Sequence, residues 1–348
     1  MKRALGLLGV LLVLGILGAG FWTYRSLEQP YKGFSEEETY VEIPPGTGSA
    51  GMAARLAQAG VVRNATLFRL AVWMRNSGRR LQAGEYRFDR PMTPSEVADK
   101  IARGDVYLRS ITFREGLNIR QMASLFEEKG FGPAASFVAA ASKADRIQAI
   151  DPEARDLEGY LFPDTYALPR RATADTLVDR MVTEFEKALT PELRARATAR
   201  GLDVRELVTL ASIVEKETGK PEERPLVAAV YSNRLKIGMG LQCDPTVIYA
   251  LERANRYDGN IRKADLSFDS PYNTYRYAGL PPGPIAAPGR ASLEAAAGPA
   301  DASYLYFVSR NDGSHAFAST LDEHNRNVRQ YQVQYFRDRR EESRRQRP

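Results

Sequence analysis

Two carboxyl groups, Glu215 and Glu217, close the stretch from Leu207 to Thr218, which from Leu207 to Val214 is apolar except at Thr209 and Ser212. A helix over Val204–Thr218 would be apolar on nearly every side and therefore buried, so it would bring both acids into a low-dielectric setting. Burial without a partner raises a carboxyl pKa, and a glutamic acid kept protonated at the lip of a cleft can act as a general acid. The plainer alternative is a helix end whose acids face water or pair with Lys216 and Lys220. At about 100° per residue the two acids point roughly 200° apart, so only one can face a given cleft. Glu217 shares its side with Leu210, Ile213 and Val214, and Glu215 shares its side with Val208 and Ala211, so periodicity does not choose between them.

Other chemistries find less support. The two His residues, His315 and His324, stand without an H-E-x-x-H pattern or a Cys pair, so no metal site is expected and both read as polar loop or helix residues. Ser212 lies mid-helix with no G-x-S-x-G elbow around it. Gly46 to Gly51 matches G-x-G-x-x-G, but no acidic residue stands near position 71 to hold a ribose, and no cofactor is expected. Carbohydrate chemistry fits better, because it needs a protonated carboxyl beside a groove that stacks aromatics on sugar faces and offers amides and hydroxyls. Gln242, Asp244 and Thr246 in one loop, and Tyr272, Asn273, Thr274 and Tyr275 in another, supply such groups. Glycosidases usually pair two carboxyl groups, and Asp244 could be the partner of Glu217 or simply a turn residue before Pro245.

The elements that must position these residues are partly legible. Thr39–Ile43 reads as a strand, followed by a Pro-Pro-Gly turn and a helix through Met52 and Leu56 that closes at Gly60. The pattern recurs about 70 residues later, with a strand at Ser110–Phe113, a turn at Gly116 and a helix through Met122 and Phe126 that closes at Gly130. Between them Gly84–Phe88 is a strand, and Thr93, Pro94 and Glu96 spell a capping box. From Ala172 the pattern is strongly helical, with helices expected at Thr173–Ala188, Pro191–Arg200, Val204–Thr218 and Pro221–Lys236, and a short one at Val247–Leu251. Gly279–Ile285 reads as an ordered loop, and Asn311-Asp312-Gly313 as a hairpin turn ahead of a last helix through Val328.

The 348 residues suffice for two or three domains with a sizeable core. Met1-Lys2-Arg3 precedes an uncharged run from Ala4 to Phe21, with Trp22 and Tyr24 at its end; this reads as a transmembrane helix with a cytoplasmic N-terminus and everything after Arg25 outside. A cleaved signal peptide, with Gly18-Ala19-Gly20 as its processing site, is the competing reading. Cys243 is the only cysteine, which rules out an intramolecular disulfide and leaves no Cys for lipid attachment. The net charge of +6 suits a neighbour such as an anionic membrane face or an acidic polymer, and much of the excess lies in the run Arg337–Arg347. Nucleic acid is not an expected partner.

Leu210–Thr218, Asn233-Arg234-Leu235, Leu241–Tyr249, Tyr272–Tyr275, Gly279–Ile285 and Tyr304–Val308, together with Glu158–Tyr166, resemble in type and order the endolytic murein transglycosylases, the YceG-like family. Cys243 departs from the small polar residue more usual there. The resemblance implies an α+β architecture in which an N-terminal transmembrane helix and a small α+β LysM-like module precede a mainly helical, lysozyme-like catalytic domain. Along the chain this places a cytoplasmic start at 1–3, the transmembrane helix at 4–24, a linker at 25–38, the LysM-like module at 39–110, a connecting region at 111–171, the catalytic domain at 172–336 and a basic tail at 337–348. It implies an enzyme of the bacterial cytoplasmic membrane that cuts nascent peptidoglycan strands internally and leaves 1,6-anhydromuramyl ends, with Glu217 as the acid and Glu215 in support. Peptidoglycan synthases of the elongation machinery are the protein partners it suggests. A hydrolytic muramidase using Glu217 and Asp244, and a wall-binding scaffold without activity, are the alternatives.

Overall fold

The computed structural model describes residues 2–337 and 339, without the side chains of 2–10 and 19. The chain divides into two compact units, Met1–Ser110 with Ala167–Arg171, and Ile111–Tyr166 with Ala172–Pro348. The stretch 111–171, expected as a separate connecting region, therefore belongs mostly with the second unit.

The first unit runs α1 (Lys2–Glu28), β1 (Thr39–Ile43), α2 (Ser49–Gln58), α3 (Ala65–Met74), β2 (Gly84–Phe88) and α4 (Pro94–Arg103). β1 and β2 are antiparallel, with Val41 opposite Tyr86 and Ile43 opposite Gly84, so alternate residues share one face. That face buries Val41, Ile43, Tyr86 and Phe88 against Leu56, Phe68, Val97 and Ile101 of the helices. Each such side chain contributes about 1.5–3 kcal/mol of transfer free energy. The capping box opens α4 as expected: the Thr93 hydroxyl accepts the Glu96 N–H, and Glu96 accepts the Thr93 N–H. Among the described residues no helix is long and apolar enough to cross a membrane, so the spanning helix expected at 4–24 is not supported. Of the part that can be described, Leu11, Leu12, Leu14, Ile16 and Leu17 of α1 are exposed, whereas Leu27 near its end joins the core.

The repeated strand–turn–helix pattern takes the same form twice. Gly46 and Gly116 turn with φ of 80° and 78°, and Gly60 and Gly130 close the helices with φ of 69° and 67°. The first copy lies in the first unit. The second begins with β3 (Arg109–Thr112), which pairs with a later strand, and leads into the second unit.

The second unit is mainly helical: α5 (Ile119–Glu128), α6 (Ala134–Ala141), the end of β3 with the first half of its partner β4 (Thr165–Leu168), α7 (Ala174–Ala188), α8 (Pro191–Ala199), α9 (Val204–Glu217), α10 (Arg224–Lys236), α11 (Asp244–Arg253) and α12 (Arg290–Ala297). A hairpin of β5 (Tyr306–Ser309) and β6 (His315–Ala318) precedes α13 (Leu321–Val328), as the Asn-Asp-Gly turn predicts. α9 is the centre of this unit: every position from Leu207 to Val214 is buried, with α8, α10, α11 and α12 packed along it. Asp203 and Glu206 form a capping box that starts α9, and the extended backbone of Thr218 stops it.

Two helices differ from expectation. Pro221–Lys236 is a 3-10 turn over Pro221–Glu223 followed by α10, because Pro225 has no N–H with which to continue an α-helical ladder from Pro221. The short helix expected at Val247–Leu251 starts earlier, at Asp244, with Pro245 in its first turn. α6 and α12 escaped the sequence reading because their Ala-rich stretches show little contrast between faces.

Candidate active site

α9 ends on Glu217 with its carboxyl among α10, the loop before α11 and the terminal hairpin. Tyr231 of α10 donates its hydroxyl to Glu217 Oε1 at 2.7 Å, and the Cys243 thiol donates to the same oxygen at 3.0 Å. Oε2 takes part in neither bond. Burial pushes the Glu217 pKa up, the two donors oppose that rise, the nearby Asp244 charge adds to it, and His315 opposes it weakly. Burial also drives the Cys243 and Tyr231 pKa values far upward, so both stay neutral donors at physiological pH. The site thus holds a glutamic acid that favours its protonated form, oriented through one oxygen and open at the other.

The loop before α11 reaches this position through a left-handed residue, Gln242, at φ 51°. The Gln242 N–H donates to the Thr274 carbonyl at 3.2 Å, and the Cys243 N–H to the Thr274 hydroxyl at 3.0 Å. Thr246 donates to the Cys243 carbonyl at 2.7 Å, and Asn273 donates to the carbonyls of Leu266 and Phe268. Thr246, Asn273 and Thr274 are all buried. The substrate contacts expected of these three are replaced by a bracing role, in which they hold Cys243 and Tyr275 in place. Gln242 and Asp244 are exposed, and Tyr275 donates to Asp244 Oδ1 at 2.6 Å. Tyr272 lies further along, its ring 5.0 Å from that of Tyr249.

Glu215 faces elsewhere, as helical geometry requires. It is nearly inaccessible, pairs with Arg224 at 3.0 Å and accepts the Gly289 N–H at 3.0 Å, so both oxygens are occupied and α9 is tied to α10 and the start of α12. Lys216 donates to the Gly116 carbonyl rather than to either acid. Ser212 likewise serves structure, donating to the Thr209 carbonyl and accepting the Ile285 N–H. The Gly279–Ile285 loop packs close by, and a side chain on Gly159 would collide with Pro284.

Sequence reasoning missed Tyr231, Glu223 and His315. His315 stands on β6, not in a loop, with Nδ1 2.7 Å from Glu223 Oε2 and its N–H on Glu223 Oε1 at 2.9 Å. Burial disfavours the Glu223 anion, but the bonds to His315 outweigh it and the pKa falls. Thr218, the residue after Glu217, donates to the same carboxylate. No local pattern marks these residues, since their partners are distant in sequence. Among the described residues no group of three or more His, Cys, Asp or Glu is arranged to hold a metal ion.

A model of the YceG-like family matches residues 41–330, and the chain belongs to that family. It is 30% identical over 331 residues to an endolytic murein transglycosylase of Bacillus subtilis, covering 91% of each chain. It is also 30% identical over 357 residues to one of Streptococcus pneumoniae, covering 92% of this chain and 64% of the relative. A YceG-like protein of Listeria monocytogenes, known from a 2.6 Å crystal structure, superposes with a TM-score of 0.57 at 31% identity, covering 84% of this chain and 99% of that one.

Proposed function

We propose that this protein is an endolytic murein transglycosylase with Glu217 as its single acid–base group. The observation that carries the reading is the Glu217 carboxyl itself: raised in pKa by burial, fixed at Oε1 by two neutral donors, and unbonded at Oε2. Glu217 gives its proton to the glycosidic oxygen between N-acetylmuramic acid and N-acetylglucosamine as the C1–O bond breaks. It then takes the proton of the muramyl C6 hydroxyl, whose oxygen closes onto C1 as a 1,6-anhydro ring. The muramyl acetamido group can support the developing positive charge, so no second carboxylate is needed. The Tyr- and Pro-rich loops at 272–285 keep water from C1. Cleavage within nascent strands would limit their length.

Product analysis tests this reading. Digested sacculi should release strands with 1,6-anhydromuramyl ends, and reducing muramic ends alone would overturn it. A hydrolytic muramidase is the second reading, favoured by Asp244, which lies near enough to Glu217 to raise its pKa. We further propose that the enzyme works on the outer face of the bacterial cytoplasmic membrane, held there by α1, with the first unit as a LysM-like wall-binding module and elongation synthases as neighbours. The exposed apolar side chains of α1 and the helices α2, α3 and α4 packed on a two-stranded sheet support this placement. A protein recovered from membranes by salt or carbonate washing alone would remove α1 as an anchor.

A further inference from the structure

The second unit contains a cavity of about 1010 Å³ that does not include Glu217. Its size is that of a ligand pocket, commonly about 300–1,000 Å³. Its walls come from the Asp151–Tyr160 segment, the first half of α9, the end of α11 and the loops around Tyr272 and Gly279–Pro284.

What distinguishes the cavity is which of its polar groups lack partners. Its carboxylates are all engaged: Asp151 and Glu153 with Arg205, Asp269 with Tyr277, and the others with backbone N–H groups. The unengaged groups are donors. Thr209 is 1% exposed, lines the cavity, and its hydroxyl has no partner. Arg253 lies over the Tyr272 ring at 5.4 Å and uses only Nη1, on the Tyr249 hydroxyl at 3.2 Å. Arg155 at the rim has no partner among the described residues. Glu158, buried in the wall, is pushed up to about 8, chiefly by burial, and presents little negative charge at neutral pH. Arg155 and Arg253 are spare guanidinium donors in a wall that also holds the carboxyl groups of Asp156, Asp203, Glu206 and Asp269, which suits a ligand that offers carboxylates and amide oxygens to the arginines and N–H groups to the acids.

Tyr272 on the cavity wall and Tyr275, which bonds Asp244 and lies within electrostatic reach of Glu217, are three residues apart. Three residues of extended chain span at most about 11 Å. A short peptide attached to the sugar at Glu217 can cover that distance.

We propose that this cavity seats the peptide stem of the muramyl residue next to the bond that is cut, with Arg253 and Arg155 taking stem carboxylates and the Thr209 and Tyr272 hydroxyls donating to its amide oxygens. The proposal rests on the peptidoglycan reading above and gives that site a preference for stem-bearing strands.

The test compares full-length protein on uncross-linked glycan strands with intact stems and on the same strands stripped by an amidase. Wild type should show a kcat/KM at least about tenfold higher on the stem-bearing strands, the factor one charge-assisted contact commonly supplies. Arg253→Gln should bring that ratio close to one. In a separate binding measurement, muramyl tripeptide should bind wild type and bind Arg155→Ala several-fold more weakly; Arg155 is exposed and unpaired, so its loss leaves the fold intact. Equal wild-type rates on the two substrates, or no binding of the tripeptide, overturns the stem site. Absence of cleavage of either substrate overturns the functional reading instead, and the tripeptide measurement then judges the cavity by itself.

Discussion

Two glutamates of the second unit show why a raised pKa does not by itself mark a catalytic acid. Glu158 and Glu217 are both driven toward the protonated form by burial, and each accepts a tyrosine hydroxyl. Glu158, however, has both oxygens occupied: Oε1 accepts the Ile119 N–H at 3.1 Å, and Oε2 accepts the Tyr249 hydroxyl at 3.1 Å. It holds the start of α5 to α11. Glu217 has its two donors on one oxygen and leaves the other without a hydrogen bond. Glu215 is a third case, its charge balanced by Arg224. What separates Glu217 from the other two is the oxygen left unbonded, and the proposed acid–base role rests on it.

Substitutions can break that comparison. Glu217→Gln keeps the shape and removes the transferable proton, so kcat should fall about 10²–10⁴-fold, the usual share of general acid catalysis. A purified variant cleaving glycan at the wild-type rate would remove Glu217 from the mechanism, whereas wild-type protein that binds sacculi and releases no cleaved strands would favour the scaffold. Glu215→Ala leaves the buried Arg224 only its longer contact to Glu115, at 3.4 Å, and leaves the Gly289 N–H without its acceptor, so it should destabilise the protein by up to about 3–5 kcal/mol in denaturant melts. A loss below about 1 kcal/mol would place this pair among exposed, screened ones.

Glu158 sharpens the contrast through pH. Its folded pKa, about 8, lies above its ordinary value of 4.5, so the folded state holds the proton more tightly than the unfolded chain. The resulting stability is present in full below pH 4.5 and is lost as pH rises toward 8. Glu158→Gln should flatten the stability profile across that interval, removing a pH-dependent change on the order of 5 kcal/mol. An unchanged profile would show that Glu158 is ionised in the folded protein. Tyr231→Phe should have the smallest effect. It removes a donor that lowers the Glu217 pKa, so the alkaline limb of the rate profile, where Glu217 loses its proton, should move to higher pH. A limb that stays in place or moves to lower pH would show that the Tyr231 bond does not set this ionisation.

Local chemistry makes much of the framework legible in the sequence. Thr93 with Glu96, the glycine pairs at 46 and 60 and at 116 and 130, and the apolar run of α9 are satisfied by neighbours within a few residues, and the predicted elements stand where those signals lie. The strand read at Thr39–Ile43 stands there as β1, with Val41 and Ile43 on the core side and Glu42 exposed between them. Where the pattern faded, as in α12, burial comes from close packing of small side chains that carry no strong periodic signal.

The sequence alone determined that a buried helix would end in two acids, and the helical angle between them determined that they must do different work. Only the tertiary structure decided which partners each acid meets. Glu217 meets Tyr231 and Cys243 across 14 and 26 residues, and His315 reaches Glu223 across 92. Ionisation and orientation depend on such distant partners, because burial and hydrogen bonding exist only once the chain has closed around them.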